Sequence, residues 1–200
     1  MTTERPILFS APMVRALLDG SKTQTRRPLR AGTWFDAQHG VIKQAPAGLA
    51  CTGFAPVPCP YGKPGDRLWV RETCRADASQ TGPFGVTYMA DAAFRPIGSG
   101  QHQRWADLHT YGGVFGKQVP SIHMPRWASR ITLEVTGIRV ECLQDISRGD
   151  AMAEGCPFAN MAAGPDPRDW YRDLWNEING PGAWGLSPWV WVVAFKVVKP

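Results

Sequence analysis

The sequence predicts an α+β fold, a small mixed β-barrel with flanking helices, and three observations carry the prediction. Residues at Arg67–Glu72, Ile131–Val140 and Trp189–Lys196 alternate or cluster as β-branched and aromatic strands do. Apolar residues recur at helical spacing after Ser10 and over Asp169–Ile178, and a capping-box-like start marks a helix over Ser147–Glu154. Neither repeats nor heptads break this mixture, so strands and helices share one fold.

Taken in order, Pro6–Phe9 reads as a short strand. Ser10-Ala11-Pro12 then supplies a hydroxyl cap with proline in the first turn, and Met13, Val14, Ala16, Leu17 and Leu18 form the apolar stripe of a helix that Gly20 ends. Lys22–Arg27 therefore follows a helix terminus, and Pro28 keeps it extended. Residues 31–63 are rich in Gly, Pro and Ala, a loop with one hairpin around Trp34–Ile42. A Pro64-Gly65 turn opens the strand Arg67–Glu72, with Leu68 and Val70 on one side and Arg67, Trp69 and Arg71 on the other. Tyr88–Asp91 is expected as a strand. Ile131–Val140 is the clearest one. Ser147, with Asp150 three residues on, starts a helix that Gly155 stops; Trp170, Leu174 and Ile178 mark one face of the next helix, and an Asn-Gly-Pro-Gly turn leads to the closing strand.

Composition narrows the chemistry. Five cysteines, Cys51, Cys59, Cys74, Cys142 and Cys156, are odd in number and scattered, which argues for reduced thiols rather than a disulfide framework. No C-x-x-C pair is present; His39, Cys51 and Cys59 share one stretch at a spacing poor for a metal, and neither metal nor cofactor is expected. There is no apolar run long enough to span a membrane and no charged-then-apolar leader, so a cytoplasmic address without membrane partners is the expectation. The net charge of +5 attracts phosphate-bearing partners modestly. Nine tryptophans serve equally as core filler, interface anchors or stacking platforms for bases.

Several pieces, in order along nearly the whole chain, resemble one family: Ile7-Leu-Phe-Ser-Ala-Pro-Met-Val14 with Gly20-Ser-Lys-Thr-Gln-Thr-Arg-Arg27, Pro64-Gly-Asp-Arg-Leu-Trp-Val-Arg-Glu72, Met124-Pro-Arg-Trp-Ala-Ser-Arg130, Asp150-Ala-Met-Ala-Glu-Gly155 and Trp189-Val-Trp-Val192. The family is the ASCH domain, in the long form found in phages and prophages. The resemblance implies a PUA-like barrel over residues 1–200 as one domain, with insertions at about 31–60 and 75–120 relative to the short members. Many members are proposed RNA- or DNA-binding modules. The short bacterial members with a known activity resemble N4-acetylcytidine amidohydrolases, in which a lysine and a threonine of a Gly-x-Lys-Thr-x-Thr-x-Arg run work with a later glutamate. The matching positions are Lys22, Thr25 and Glu154, with Arg27 at the arginine position.

The residues themselves leave two readings open. Amide hydrolysis needs a nucleophile, a proton acceptor and an oxyanion partner; a buried Lys22 accepting the Thr25 proton, with Glu154 activating water or protonating the amine, would supply them. Equally, Lys22 and Arg26 suit phosphate contacts, Thr25 a turn and Glu154 a solvated helix. Arg26, Arg27, Trp69, Arg71, Glu72, Arg126 and Trp127 are the candidates for contacting a modified cytidine or a nucleic-acid strand, because Trp69 and Trp127 are flanked by arginines. Arg71 and Glu72 also suit a structural ion pair. The expected function is hydrolysis of an acyl group from the N4 amine of a cytosine nucleoside; the alternative is a non-catalytic module reading modified or single-stranded nucleic acid.

Overall fold

The structure, a computed structural model, describes residues 2–30, 32–36, 38–44, 55–78, 83–98, 100, 102–162 and 164–198. Eleven strands and four α-helices are described: β1 (Glu4–Leu8), α1 (Ala11–Leu18), β2 (Gln24–Pro28), β3 (Thr33–Asp36), β4 (Val41–Gln44), β5 (Ala55–Pro56), β6 (Arg67–Arg71), β7 (Cys74–Ala78), β8 (Phe84–Tyr88), β9 (Phe94–Pro96), α2 (His102–His109), β10 (Thr132–Cys142), α3 (Arg148–Ala153), α4 (Pro167–Asn179) and β11 (Trp189–Val198). The class is α+β, as the sequence predicts. The strands form a five-stranded sheet in the order β1-β6-β10-β11-β2 and two three-stranded sheets, β3-β4-β5 and β7-β8-β9. The larger sheet starts at β1 and ends at β2, so among the described residues it is open and not the closed barrel expected. No helix among the described residues is long and apolar enough to cross a membrane.

The chain divides into two compact units: a first that includes Gly20–Arg67 and Glu134–Lys196, and a second that includes Glu4–Asp19 and Leu68–Leu133. In the first unit β2 pairs antiparallel with β11, placing Arg26 opposite Val192 and Arg27 opposite Trp191. Val190 and Val192 pack with Leu143, Ile146, Ala151, Tyr171 and Trp175 into a buried core. Asp166 caps α4 by accepting the Arg168 N–H, and Pro167 occupies the first turn, so the helix begins before Asp169. Its buried residues are Pro167, Tyr171 and Trp175, four apart, whereas Ile178 is 54% exposed. The face expected from Trp170, Leu174 and Ile178 is thus displaced by one residue. The hairpin expected around Trp34–Ile42 is the β3-β4 pair.

In the second unit β7, β8 and β9 form a meander. Its core joins Cys74, Val86 and Tyr88 to Trp105 and Leu108 of α2 and to Met124 and Ala128. Burial pushes the Cys74 thiol and the Tyr88 phenol each up to about 12. Gly85 is required where β9 crosses closest, because a Cβ there would run into the Phe94 ring and the Arg95 carbonyl. The strand expected at Tyr88–Asp91 is corrected: β8 ends at Tyr88, and Met89–Asp91 turn, with Ala92 N–H bonded back to Tyr88 O at 2.9 Å.

Candidate functional site

Three short elements of the first unit bring its charged residues together. Gly20, at φ +82°, makes the left-handed turn after α1 that a Cβ would strain. Lys22 then forms an isolated antiparallel bridge with Glu154, and Thr23 N–H bonds Ala153 O at 2.9 Å. From Gln24 the chain is regular strand, so Gln24 and Arg26 point to one face and Thr25 and Arg27 to the other. The first face is the one that α3 and α4 cover, since Arg26 lies beside buried Val192. Helix α3 starts as expected at Ser147, whose Oγ accepts the Asp150 N–H at 3.0 Å, and ends with Glu154 as its C-cap. Asp150 and Glu154 stand four apart and so share a helix face. Strand β10 adds Arg139 and Glu141, two apart on one face.

The result is a buried charge network. Lys22 Nζ donates to Glu154 Oε2 and to the Glu154 carbonyl, each at 2.8 Å. Arg26 Nη1 donates to Glu154 Oε1 at 3.0 Å, its Nε to Glu141 Oε1 at 2.9 Å, and its Nη2 contacts Glu141 and, at 3.3 Å, Asp150 Oδ2. Gln24 Nε2 donates to Asp150 Oδ1 at 3.0 Å and to its carbonyl at 2.9 Å. Arg139 closes the ring on Glu141 at 2.9 Å and Asp150 at 3.1 Å. Three cations face three carboxylates, a formally neutral set. The Lys22 and Arg26 side chains are fully buried. Burial lowers the Lys22 pKa below its ordinary value, and the opposing pull of Glu154 does not restore it; Arg27 and Arg26 push the same way as burial. Tyr171, whose ring lies 5.8 Å from the Arg26 guanidinium carbon, has its phenol pushed well up by burial and then by Glu154.

No family model, curated protein or solved structure matches this chain.

Of the expected trio, Lys22 and Glu154 touch. Thr25 is buried one strand position from Arg26, opposite Val193 and on the other face, and takes no part in the network's ion pairs. Arg27, half-buried, shares that face with Trp191, which lines a pocket of about 370 Å³ with Ile42, Val57, Cys59 and Val140. Arg26, expected to contact substrate, is enclosed among three carboxylates.

The remaining candidates lie in the second unit. Glu72 is buried and takes a two-point bond from Arg130, Nε to Oε1 at 2.8 Å and Nη2 to Oε2 at 2.9 Å. Arg71 pairs instead with a backbone carbonyl, that of Met124 at 3.0 Å. Trp69 is buried with Arg71 4.9 Å and Arg126 5.9 Å above its ring, and Arg126 is held by Glu4 at 3.0 Å. Trp127 is half-buried. His39 bonds Asp36 at 2.8 Å; hydrogen bonds from Lys43 and then His39 hold the Asp36 carboxyl well below the usual carboxylate range. Cys51, its partner in the weak metal reading, lies outside the described residues, among which no His, Cys, Asp and Glu residues group as metal ligands would.

Sequence reasoning missed Gln24, Arg139 and Glu141 in the network and Arg130 and Asp91 in the Glu72 cluster. The period-two spacing of Lys22, Gln24 and Arg26 was the available signal, since it marks one strand face.

Proposed function

We propose that the protein hydrolyses the acyl group from the exocyclic N4 amine of modified cytosine nucleosides, with Lys22 and Glu154 as its proton-handling pair. The observation that carries this reading is the fully buried Lys22 ammonium 2.8 Å from Glu154 Oε2, beside a second cation. Desolvation lowers the lysine pKa toward the range in which a neutral amine accepts a proton, and a carboxylate in direct contact can receive and return it. In the reaction, water adds across the amide: oxygen ends on the acyl carbon, the C–N bond breaks, and the freed amine takes the proton. Lys22 removes the proton from the attacking hydroxyl, of Thr25 or of water, and Glu154 delivers one to the leaving amine. Arg27, half-exposed at the family's arginine position, meets the developing oxyanion. β2 ends the order of the larger sheet, so a substrate along this edge strand meets groups from both of its faces. With this reading goes a finer fold, in which the open five-stranded sheet is the core of a PUA-like barrel of the ASCH family.

The test is turnover of N4-acetylcytidine to cytidine and acetate, followed by chromatography, for the wild type and for Lys22→Ala, Glu154→Gln and Thr25→Ala. Loss of roughly a hundredfold or more in kcat is expected for Lys22→Ala and Glu154→Gln. Loss in Thr25→Ala assigns the hydroxyl as nucleophile; retention assigns water. Absence of turnover by the folded wild type, or full activity in all three variants, overturns the reading.

A further inference from the structure

The second unit holds a pocket that the hydrolase reading does not use, with a volume of about 340 Å³, lined by Arg104, Asp107, Leu108, Tyr111, His123 and Trp127 among others. Arg104, Asp107 and Leu108 follow one another at helical spacing along α2, and Leu108 is buried. The Tyr111 and His123 ring centroids lie 5.3 Å apart, and the backbone that carries Trp127 is held by side chains: the Trp127 carbonyl accepts from Arg95 Nη2 at 2.7 Å and the Ala128 carbonyl from the Tyr88 hydroxyl at 2.8 Å. A held backbone lowers the entropy lost when a ring stacks on the side chain it carries.

The rim carries two unspent polar groups. Among the described residues Arg104 is exposed and engaged in no ion pair or hydrogen bond, in contrast to Arg95, Arg126 and Arg130 nearby in sequence. Asp107 accepts one bond, from Gln103 Nε2 at 3.1 Å, which leaves its other oxygen for a donor. A planar ring between indole and phenol, an anion for the guanidinium and an amine for the carboxylate together describe one ligand chemistry.

We propose that this pocket binds a nucleoside phosphate bearing an amino-substituted base, cytosine or adenine, either free or as one unit of a single strand. The base stacks on Trp127 against Tyr111 and His123, the phosphate meets Arg104, and Asp107 accepts the exocyclic amine. This holds whether or not Lys22 and Glu154 hydrolyse anything, because the pocket belongs to the other unit and shares no residue with their network.

Calorimetric titration of the full chain with CMP, UMP and cytidine tests it. CMP is expected to bind more tightly than UMP, and its affinity to fall with salt. Arg104→Gln, an exposed change that leaves the fold intact, weakens CMP by roughly tenfold and leaves cytidine unchanged. Asp107→Ala removes the preference for CMP over UMP. Trp127→Ala weakens all three by roughly five- to a hundredfold, with circular dichroism verifying that it folds. A tetranucleotide of deoxycytidylate that binds more tightly than CMP assigns the single-stranded source, and equal affinity assigns the free nucleotide. The proposal is overturned if millimolar CMP does not bind, if Arg104→Gln binds CMP as the wild type does, or if Glu154→Gln abolishes CMP binding, which would place the ligand in the other unit.

Discussion

Each unit buries a glutamate against a basic side chain, and the two pairs differ in whether the cation can titrate. Glu72 in the second unit meets Arg130, which also bonds Asp91 at 2.8 Å and lies 4.0 Å from the centre of the Tyr88 ring. Burial opposes the charge on Arg130, but Glu72 and Asp91 outweigh it and raise the pKa further. A guanidinium so placed never gives up its proton, and the cluster is a clamp that ties β8 and the following turn to the start of β10. Glu154 in the first unit meets a lysine and an arginine at once. Burial lowers the Lys22 pKa below its ordinary value, whereas the Arg130 pKa is raised. The difference teaches that burial of an ion pair does not by itself mark a functional site; what singles out the first pair for the proposed chemistry is a titratable cation whose charge the surroundings contest.

The largest effect that tests this contrast is on stability. Glu154→Ala leaves Lys22 and Arg26 buried beside one another with their shared carboxylate gone, and a loss of about 3–5 kcal/mol in urea unfolding is expected. Glu72→Ala leaves Arg130 still bonded to Asp91 at a more exposed site, so its loss is smaller. Equal losses, or the reverse order, would break the distinction between the two clusters.

Next in size is a shift in pH dependence, carried by Arg26. Lys22 is faced by Glu154, which raises its pKa, and by Arg27 and Arg26, which lower it. In Arg26→Gln a lowering charge disappears and Glu154 is no longer shared, while Glu141 and Asp150 lose the cation between them. All these changes favour the ammonium form, so the Lys22 pKa rises. In the proposed reaction the neutral amine is the base, so the ascending limb of kcat/KM is expected to move to higher pH. The same sign governs stability. Because the folded-state pKa lies below the unfolded value of 10.5, the unfolded chain binds more protons between the two, and the Lys22 contribution strengthens as pH rises through that window. Arg26→Gln narrows the window. A purely structural Arg26 would lower stability and leave the pH profile of kcat/KM in place.

The sequence made some of this legible and hid the rest for identifiable reasons. Gly20, through its left-handed backbone, and Ser147, through its hydroxyl, are local signals, and the helix boundaries they mark are present as read. Ser10 stands at the N-cap of α1, but its hydroxyl makes no capping hydrogen bond, so the cap expected there is corrected to a proline-led first turn. The helix α4 starts two residues before Asp169 because Asp166 and Pro167, a capping pair, lie just outside the apolar pattern that begins there. Lys22 and Glu154, separated by 132 positions, could be joined only through the family resemblance, since no local spacing links them. Arg26 shows the limit most clearly: as a basic residue in a basic run it suited phosphate, yet strand alternation turns it inward while its neighbour Arg27 stays half-exposed. Its three carboxylate partners come from α3 and β10, contacts that composition and periodicity do not contain.

The smallest effect tests whether the first unit's network depends on the helix that carries it. Helix α3 has only six residues, too few to hold together without its cap and its packing. Ser147 Oγ accepts the Asp150 N–H and donates to Asp150 Oδ2, both at 3.0 Å, so one hydroxyl ends the helix and also aims the carboxylate that meets Arg26 and Arg139. Ser147→Ala is expected to cost about 1 kcal/mol, the usual loss for an N-cap hydroxyl. It should also lower kcat modestly, because Glu154 sits at the other end of the same helix. Ser147→Asp restores the cap but places a second carboxylate beside Asp150, so it should recover less than Ser147→Thr, which restores both bonds. Full recovery by aspartate would mean that the helix cap alone matters, and that the aim of Asp150 contributes nothing to the network.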